Sequence, residues 1–291
     1  MSRPPEARLP VAVVVATYDR PALLPACLAS IAAALSPDDE LVVSEAGDSR
    51  ARDAVGGLGR PAEVVTVAAT GKCRQLNLGV AATTAPIVAF TDDDCRVEPG
   101  WVDGLAASFD DPQVGIAFGP VRGLTHLPGD AAAGPPPGEA PFVTWTYAHG
   151  ASFAVRREAL FAAGGFDERL GPGAPGRAGE DHDVLLRIRE RGWRVAIADT
   201  PPVEHLEWRD EEESDANALV YERGAGAFLG AAVRRSPRRG WPLLKHRLGY
   251  ARQLVADRPG DDRRFAWRAV RSFAGGLVYG VRLRPWPGPR S

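Results

Sequence analysis

Short apolar runs alternate with amphipathic stretches in the N-terminal third of the chain. Residues 11–16 form a continuous apolar run, which is typical of a strand buried on both faces of a parallel sheet. Similar runs predict strands at residues 41–43, 64–67 and 87–90. Apolar residues that recur every three or four positions predict two intervening helices, one with Leu24, Leu28, Ile31 and Leu35, the other at 72–82 with Leu76 and Val80. This order predicts a doubly wound α/β sheet, in which ligands bind at the carboxyl ends of the strands.

The pattern changes in the second half. Residues 128–141 are rich in Pro, Gly and Ala, so we expect an exposed, mobile loop without regular structure. The apolar–polar alternation at residues 193–197 predicts a half-exposed strand. From residue 214 the chain is predicted to be helical almost to its end. Breaks in these helices are expected at Pro237, Pro242 and Pro259.

Charge follows the same division of the chain. We predict a catalytic domain at residues 1–213 and a helical extension at 214–291. The net charge of −2 conceals fifteen Lys or Arg and three acids at residues 234–291, so this region carries +12. Such asymmetry predicts contact with an anionic surface. Because the region contains no nucleic-acid-binding motif, we expect an anionic membrane surface as the partner and no nucleic acid. Residues 273–281, flanked by Arg271, Arg282 and Arg284, fit contact with a membrane interface better than a membrane span. The alternative is a helical extension that packs on the catalytic domain.

Composition excludes several other classes. Among the 291 residues, 45% are hydrophobic and 25% charged, as in ordinary soluble proteins. Three cysteines without C-x-x-C spacing suggest neither a disulfide framework nor a zinc site, so a reducing cytoplasm is the expected compartment. The first residues lack the apolar core of a signal peptide, and no segment approaches the ~20 apolar residues of a membrane span.

An acidic triplet, Asp92, Asp93 and Asp94, follows the apolar run at 87–90 directly. If the strand geometry continues, Asp92 and Asp94 face the same side of the sheet. Two carboxylates that converge there need a cation between them, and Mg²⁺ or Mn²⁺ prefers oxygen ligands. The alternative is an acidic loop that caps the following helix.

A second acidic cluster comprises Glu180, Asp181 and Asp183, directly before an amphipathic run. Acids in the first turn of a helix are also favoured by the helix dipole, which is the alternative explanation. His205 follows a probable strand further along the chain. Residues 171–176 match G-x-G-x-x-G, but they lie deep in the chain, outside the first βαβ unit that a dinucleotide site requires, and contain two prolines, so we predict an ordinary loop there.

Taken in order, these motifs resemble the inverting nucleotide-sugar glycosyltransferases of family 2, which have the GT-A fold. The resemblance covers roughly residues 9–210. It rests on six matching segments: 14–21, 71–79, 91–94, 150–157 with 164–168, 179–181, and His205. It implies a single mostly parallel central sheet flanked by helices, together with the helical C-terminal extension.

The resemblance also implies roles for individual residues. Asp181 corresponds to the catalytic base, with Glu180 and Asp183 as lower-ranked candidates. The metal ligands implied for Mn²⁺ or Mg²⁺ are Asp92, Asp94 and His205. The implied nucleotide- and donor-binding residues are Thr17, Asp19, Arg20, Glu45, Lys72, Arg74, Asn77, Asp92, Asp93, Gly150 and Ser152.

Two positions depart from the family pattern. The Asp that usually ends the second strand and touches the nucleobase is absent, and Glu45 or Asp48 could replace it. The Asn often found in the donor-sugar segment is Ser152, which leaves the sugar open. Segments 128–141 and 171–179 are candidate acceptor-binding or lid elements.

The expected activity is transfer of a sugar from a nucleoside-diphosphate sugar to an acceptor hydroxyl on a glycan, a lipid-linked molecule or a small molecule. The enzyme is expected in the cytoplasm, peripheral at the inner face of the membrane. Two alternatives remain. One is a nucleotidyltransferase that makes sugar nucleotides, although the Gly-rich phosphate loop after the first strand is missing. The other is a non-catalytic module that binds nucleotide or glycan.

Overall fold

A computed structural model describes residues 8–123, 138–139, 149–206, 211–256 and 261–289. Within them, eight strands form one sheet in the order β3-β2-β1-β4-β9-β6-β10-β8. Its strands are β1 (Val11–Tyr18), β2 (Glu40–Ala46), β3 (Glu63–Val67), β4 (Ile87–Asp92), β6 (Val114–Phe118), β8 (Gly138–Glu139), β9 (Phe153–Arg156) and β10 (Arg194–Ile197). The helices are α1 (Leu24–Ala34), α2 (Ala51–Gly56), α3 (Lys72–Ala81), α4 (Trp101–Ala107), α5 (Arg157–Ala162), α6 (Glu180–Glu190), α7 (Glu211–Arg235), α8 (Pro237–Ala256) and α9 (Asp261–Arg282).

The central sheet is mostly parallel, which confirms the predicted fold class. β1 pairs in parallel with both β2 and β4, and β2 pairs in parallel with β3. Residues 11–15 of β1 are completely buried, as the continuous apolar run predicted. Antiparallel β9 separates β4 from β6. The carboxyl ends of β1, β2 and β4 therefore lie side by side at one edge of the sheet.

A second, three-stranded sheet lies beyond that edge. It consists of β5 (Cys95–Arg96), β7 (Val121–Arg122) and β11 (Val203–His205), in the order β5-β11-β7. β11 runs antiparallel to β5, and His205 is the register partner of Cys95. This pairing brings a residue from late in the chain next to the acidic triplet.

The described residues fall into two compact units. The first lies within residues 1–70, 74–165 and 187–207, and contains both sheets. The second lies within residues 71–73, 166–186 and 208–291, and contains α7, α8 and α9. The domain boundary at residues 213 and 214 remains a prediction. In the described ranges, no helix is both long and apolar enough to cross a membrane.

The predicted helical extension is present, with one of its breaks misplaced. α8 begins at Pro237, as expected, but Pro242 lies inside α8 and does not end it. A proline inside a helix removes one backbone hydrogen bond. Burial of the adjacent Leu243 and Leu244 outweighs the loss of that hydrogen bond, so the helix continues past Pro242. Pro259 lies outside the described residues.

Two further expectations are corrected. The strand predicted as half-exposed, β10, lies between β6 and β8 and is buried at Val195, Ala196 and Ile197. Because successive side chains point to opposite faces, both faces of β10 are covered. The segment 128–141, expected to lack regular structure, contributes β8 at Gly138–Glu139. β8 pairs antiparallel with β10. The rest of that segment lies outside the described residues.

The start of β1 is anchored by a buried carboxylate. The Asp39 side chain is fully buried, and its two oxygens accept the backbone N–H groups of Val11 at 3.0 Å and Ser36 at 2.8 Å. The Arg8 guanidinium bonds both oxygens, at 2.9 and 2.6 Å. Burial alone would raise the pKa of Asp39, but the Arg8 and backbone hydrogen bonds outweigh it and lower that pKa below its usual range. Asp39 thus ties β1 to the turn before β2.

We expect Asp39→Ala to lower the free energy of unfolding by about 3 kcal/mol at neutral pH, because it leaves a buried N–H unsatisfied and breaks the ion pair. Because the pKa is lowered by folding, this stabilisation is complete above the ordinary carboxyl pKa of about 3.9 and is lost as the pH falls below it. Urea unfolding at several pH values measures both effects. The control is Asp103→Ala, whose side chain is 58% exposed and also contacts Arg8. Equal losses in the two variants would contradict the anchoring role.

Candidate active site

Two buried carboxylates share one arginine at the carboxyl end of β4. The side chains of Asp93 and Asp94 accept hydrogen bonds from Nη1 of Arg20, at 2.7 and 2.9 Å. Both aspartates are less than 5% exposed. β4 ends at Asp92, and the next two residues form a turn before β5. The strand alternation that predicted a shared face for Asp92 and Asp94 therefore does not extend to Asp94.

The charge of Arg20 balances this pair. Burial raises the pKa of Asp93, and Arg20 and a hydrogen bond from Thr17 oppose that rise only in part. Burial by itself would lower the pKa of Arg20, but Asp93 and Asp94 outweigh it and raise that pKa. Arg20 thus supplies a cation from within the chain to Asp93 and Asp94, whereas the sequence argument required one between Asp92 and Asp94.

His205 reaches the same place through β11. Its Nε2 lies 3.6 Å from Oδ1 of Asp94. The backbone N–H of Leu206 donates to the Asp94 carbonyl at 2.9 Å, which fixes the end of β11 against the acidic turn. A separation of 3.6 Å exceeds a good hydrogen bond, yet it suits two ligands that each lie about 2.1 Å from one ion.

The residues present fit a divalent cation. Ligand atoms of Asp94, Cys95 and His205 lie within 4.8 Å of one another. Asp92 does not belong to this group of potential ligands. Carboxylate oxygen and imidazole nitrogen suit Mn²⁺. Burial, together with Asp92 and Asp94, raises the pKa of the Cys95 thiol, so it stays protonated and is the weakest ligand of the three.

The turn after β1 is stabilised by hydroxyl and carboxylate groups. The Thr17 hydroxyl lies 2.7 Å from Oδ2 of Asp93 and 2.9 Å from the Ser49 hydroxyl. Asp19 has a left-handed φ of +50°, and its Oδ1 accepts the backbone N–H of Asp48 at 2.7 Å. A Cβ at Gly47 would lie 2.3 Å from that oxygen, so glycine is required there.

Glu45, one of the two candidates for nucleobase contact, has internal partners. It is buried, and its Oε1 accepts the backbone N–H groups of Ser49 and Ala51, both at 2.9 Å. These bonds cap the start of α2. Asp48, the other candidate, is exposed.

Helix α3 packs closely against β1 and β2. A Cβ at Gly79 would lie 2.5 Å from Val14 Cγ1, which explains why the segment 71–79 has a glycine at this position. Gln75 donates to the carbonyls of Thr17 and Ser44, at 2.7 and 2.8 Å. The periodicity that predicted this helix gives no signal for Gln75, because at 3.6 residues per turn Gln75 lies about 100° around the helix from Leu76, outside the predicted apolar face. The implied nucleotide-binding residues on α3 differ in exposure: Arg74 is exposed and Asn77 is buried.

The donor-sugar segment leads into β9. Ser152 is fully buried, and its hydroxyl accepts the indole N–H of Trp101 at 3.0 Å. A Cβ at Gly119 would lie 2.5 Å from that hydroxyl. The Ser152 side chain therefore has a partner within the protein core, whereas Gly150 is partly exposed.

The second acidic cluster belongs to the second compact unit. Glu180 Oε1 lies 3.7 Å from the Lys72 ammonium, and Asp183 accepts from Arg235 at 3.1 Å. The exposed fractions of the acidic side chains are 9% for Glu180, 16% for Asp181 and 2% for Asp183. Asp181 is therefore the most accessible of the three.

Asp181 is held by the residue that follows it. Its Oδ1 lies 2.8 Å from both the backbone nitrogen and Nδ1 of His182. Burial would raise the pKa of Asp181, but His182 outweighs it, with a smaller contribution from Lys72, and lowers the pKa to about 2. The His182 ring lies 5.9 Å from the ring of Phe228. Asp181 is therefore an oriented carboxylate that is ionised at neutral pH.

The G-x-G-x-x-G segment is a loop, as predicted. Gly171 and Gly173 have φ of +80° and +82°, and no strand precedes them. The Pro172 carbonyl accepts the backbone N–H of Lys72 at 3.0 Å. A Cβ at Gly171 would lie 3.3 Å from the Glu180 carboxyl carbon, so the loop packs closely on the acid that pairs with Lys72.

Comparison with known proteins finds a family match over part of the chain. Residues 12–125 match the model described as "Glycosyl transferase family 2". Two curated proteins named pre-mycofactocin glycosyltransferase, from two strains of Mycobacterium tuberculosis, are 30% identical over 46% of this chain. The match spans only 30% of the length of those relatives.

Solved structures share the fold. The mannosyltransferase PcManGT from Pyrobaculum calidifontis, in complex with GDP-Man and Mn²⁺, superposes with a TM-score of 0.63 at 19% identity, covering 96% of this chain and 88% of that one. TarS residues 1–349 from S. aureus, in complex with UDP-GlcNAc, superposes with a TM-score of 0.58 at 13% identity, covering 92% and 82%. The predicted GT-A fold is confirmed.

We expect Arg20→Gln to lower the free energy of unfolding by about 2–4 kcal/mol, because Asp93 and Asp94 lose their shared cation. Mn²⁺ should then raise the melting temperature of the variant more than that of the wild type, since a bound ion would replace the missing charge. Thermal denaturation with and without Mn²⁺ measures both. Arg50→Gln is the control, because Arg50 and its partner Asp53 are each 66% exposed. If Mn²⁺ stabilises both variants equally, the proposed cation site is wrong.

Proposed function

We propose that this chain is an inverting, metal-assisted glycosyltransferase of family 2, because residues 12–125 match the model of that family and the chain shares the GT-A fold. The donor is a nucleoside-diphosphate sugar and the acceptor is a hydroxyl group. The observation that carries the proposal is the approach of His205 to Asp94, at 3.6 Å, beside the Arg20 guanidinium.

The donor side must stabilise a departing diphosphate. A divalent cation held by Asp94 and His205 would act there as a Lewis acid. Asp92 stays a predicted further ligand, although its carboxylate does not join the cluster of Asp94, Cys95 and His205. Arg20 offers a guanidinium that can form paired hydrogen bonds to phosphate oxygens. Its present partners Asp93 and Asp94 keep it at this edge of the sheet until a ligand competes for it. Lys72 and Arg74 are proposed to supply further positive charge to the phosphates.

The nucleotide is proposed to lie along the ends of β1 and β2. Thr17 and Asp19 shape this turn through their bonds to Asp93 and Asp48. Of the two candidates for nucleobase contact we favour Asp48, because Glu45 is occupied by backbone N–H groups. The donors in PcManGT and TarS are GDP-Man and UDP-GlcNAc, which supports a nucleoside-diphosphate sugar without selecting the base.

The acceptor side needs a base, and Asp181 is proposed for it. Glu180 and Asp183 are paired with Lys72 and Arg235, and both are less accessible. With a pKa of about 2, Asp181 is a weak acceptor before reaction, so it takes the proton only as the new glycosidic bond forms. Attack from the face opposite the diphosphate inverts the anomeric centre.

The proposed location is the cytoplasm, with residues 234–291 at an anionic membrane surface. Cys27, Cys73 and Cys95 are all buried free thiols, which is consistent with a reducing compartment. The charge of +12 in the C-terminal region supports the surface contact.

Product analysis tests the proposed reaction. With Mn²⁺, a nucleotide sugar and an acceptor, we expect release of nucleoside diphosphate and a product whose anomeric configuration is opposite to that of the donor. Pyrophosphate release would instead indicate a nucleotidyltransferase, and binding without either product would indicate a binding module. A retained configuration would contradict one-step displacement.

Asp181→Asn separates the base from the binding residues in the same assay. We expect a loss of about 10²–10⁴-fold in transfer, because the base is removed while shape is kept, with nucleotide affinity near wild type. Asp53→Asn, which alters an exposed carboxylate, should leave both quantities unchanged. If Asp181→Asn also abolishes nucleotide binding, Asp181 is not the base.

A further inference from the structure

Helix α9 has one face fixed against α7. The buried residues recur at spacings of three and four along α9, and are Ala266, Ala269, Phe273, Gly276 and Gly280. A Cβ at Gly276 would lie 1.9 Å from the Arg223 carbonyl oxygen, and one at Gly280 would lie 2.0 Å from that of Ala227. Only glycine permits so close an approach of the two backbones. The rotation of α9 about its axis is therefore set, and so is the face that it turns to solvent.

The solvent face of α9 combines apolar and basic side chains. Trp267 and Val278 are each 50% exposed, and Val281 is 43% exposed. Arg271 and Arg282 are also exposed. Arg271 follows Trp267 by four residues, and Arg282 follows Val278 by four residues. Residues three, four and eleven apart lie on one side of a helix, so these five form one stripe, about 20 Å long. We call these five residues the α9 stripe.

This geometry changes the surface that the sequence suggested. Within the basic region 234–291, the sequence pattern pointed to residues 273–281, flanked by Arg271, Arg282 and Arg284. Phe273, Gly276 and Gly280 belong to the face packed on α7, so they are not available for contact with a partner.

Charge identifies the kind of partner. Residues 263–291 contain seven Arg and no Asp or Glu, so the partner is anionic. Isolated exposed apolar residues are ordinary, but the α9 stripe places a Trp and two Val in line with two Arg. A helix that lies in a membrane interface uses this combination, with Trp and aliphatic groups at the acyl boundary and arginines on lipid phosphates. A polyphosphate chain would match the arginines and leave the valines without an apolar partner.

We propose that the α9 stripe binds an anionic phospholipid surface, with α9 lying in the plane of the headgroups. This inference rests on the proposed membrane location of residues 234–291, and it does not depend on the transfer reaction. Each Arg at such a surface contributes about a fivefold factor to binding, and each buried apolar group adds to it.

Sedimentation of the full chain with lipid vesicles tests the proposal. We expect binding to vesicles of phosphatidylcholine mixed with phosphatidylglycerol, and weak binding to phosphatidylcholine alone. Arg271→Glu with Arg282→Glu should weaken binding to the anionic vesicles by at least about 30-fold. Trp267→Ser with Val278→Ser should also weaken it, by about tenfold or more.

Matched controls exist elsewhere in the chain. Arg238→Glu with Arg239→Glu makes the same change of charge at exposed positions of α8, and should reduce binding much less. Phe161→Ser alters a side chain that is 50% exposed, like Trp267, and should have no effect. The nucleotide-dependent shifts in melting temperature of all variants should match that of the wild type. A variant that loses vesicle binding but keeps this shift has lost the lipid-binding surface and has kept its nucleotide site. If the serine double variant fails to fold, the single variant Trp267→Gln is measured in its place. If the glutamate double variant fails to fold, Arg271→Gln is measured in its place.

Three results would overturn the inference. The wild type could fail to bind anionic vesicles. The α8 control could lose as much binding as the α9 variant, which would indicate diffuse charge attraction. The serine variant could retain full binding while the glutamate variant loses it, which would indicate a purely electrostatic partner such as nucleic acid.

Discussion

The burial of two adjacent carboxylates at the end of β4 is the constraint on which the first unit depends. Neither Asp93 nor Asp94 can stay ionised inside the protein without a cation and hydrogen-bond donors nearby. The sheet order supplies them. β1 lies next to β4, with Ala16 in register with Asp92. Thr17 near the end of β1 and Arg20 in the following turn therefore lie within hydrogen-bond distance of Asp93. The small sheet delivers His205 through its pairing with β5.

Most of this arrangement follows from the sequence, and the part that does not has physical causes. Continuous apolar runs predicted β1 and β4 because buried parallel strands require them. Periodicity could not show that β4 ends at Asp92. The alternation of side chains along a strand was therefore applied to Asp94, which lies in the turn after β4. Periodicity also could not show that Arg20 lies between Asp93 and Asp94, because that contact joins residues more than seventy positions apart.

Other differences come from tertiary packing that outweighs a local rule. Pro242 should end a helix, yet the buried leucines after it carry α8 onward. Glu45, which stays one of the two candidates for nucleobase contact, also caps α2, a role that depends on a turn the sequence did not specify. In the second unit, the ranking of Asp181 above Glu180 and Asp183 came from the family resemblance. The larger exposed fraction of its side chain, 16% against 9% and 2%, supplies an independent physical reason for it.

The central claim is that Asp94 and His205 hold a divalent cation that competes with Arg20 for the carboxylates. Anomalous scattering from crystals grown with Mn²⁺ and a nucleoside diphosphate measures this directly. The account predicts a manganese peak about 2.1 Å from an Asp94 carboxylate oxygen and from the His205 imidazole, with the Arg20 guanidinium moved from Asp94 towards phosphate. A nucleotide bound with no manganese at Asp94, and with Arg20 still paired to both aspartates, would contradict it.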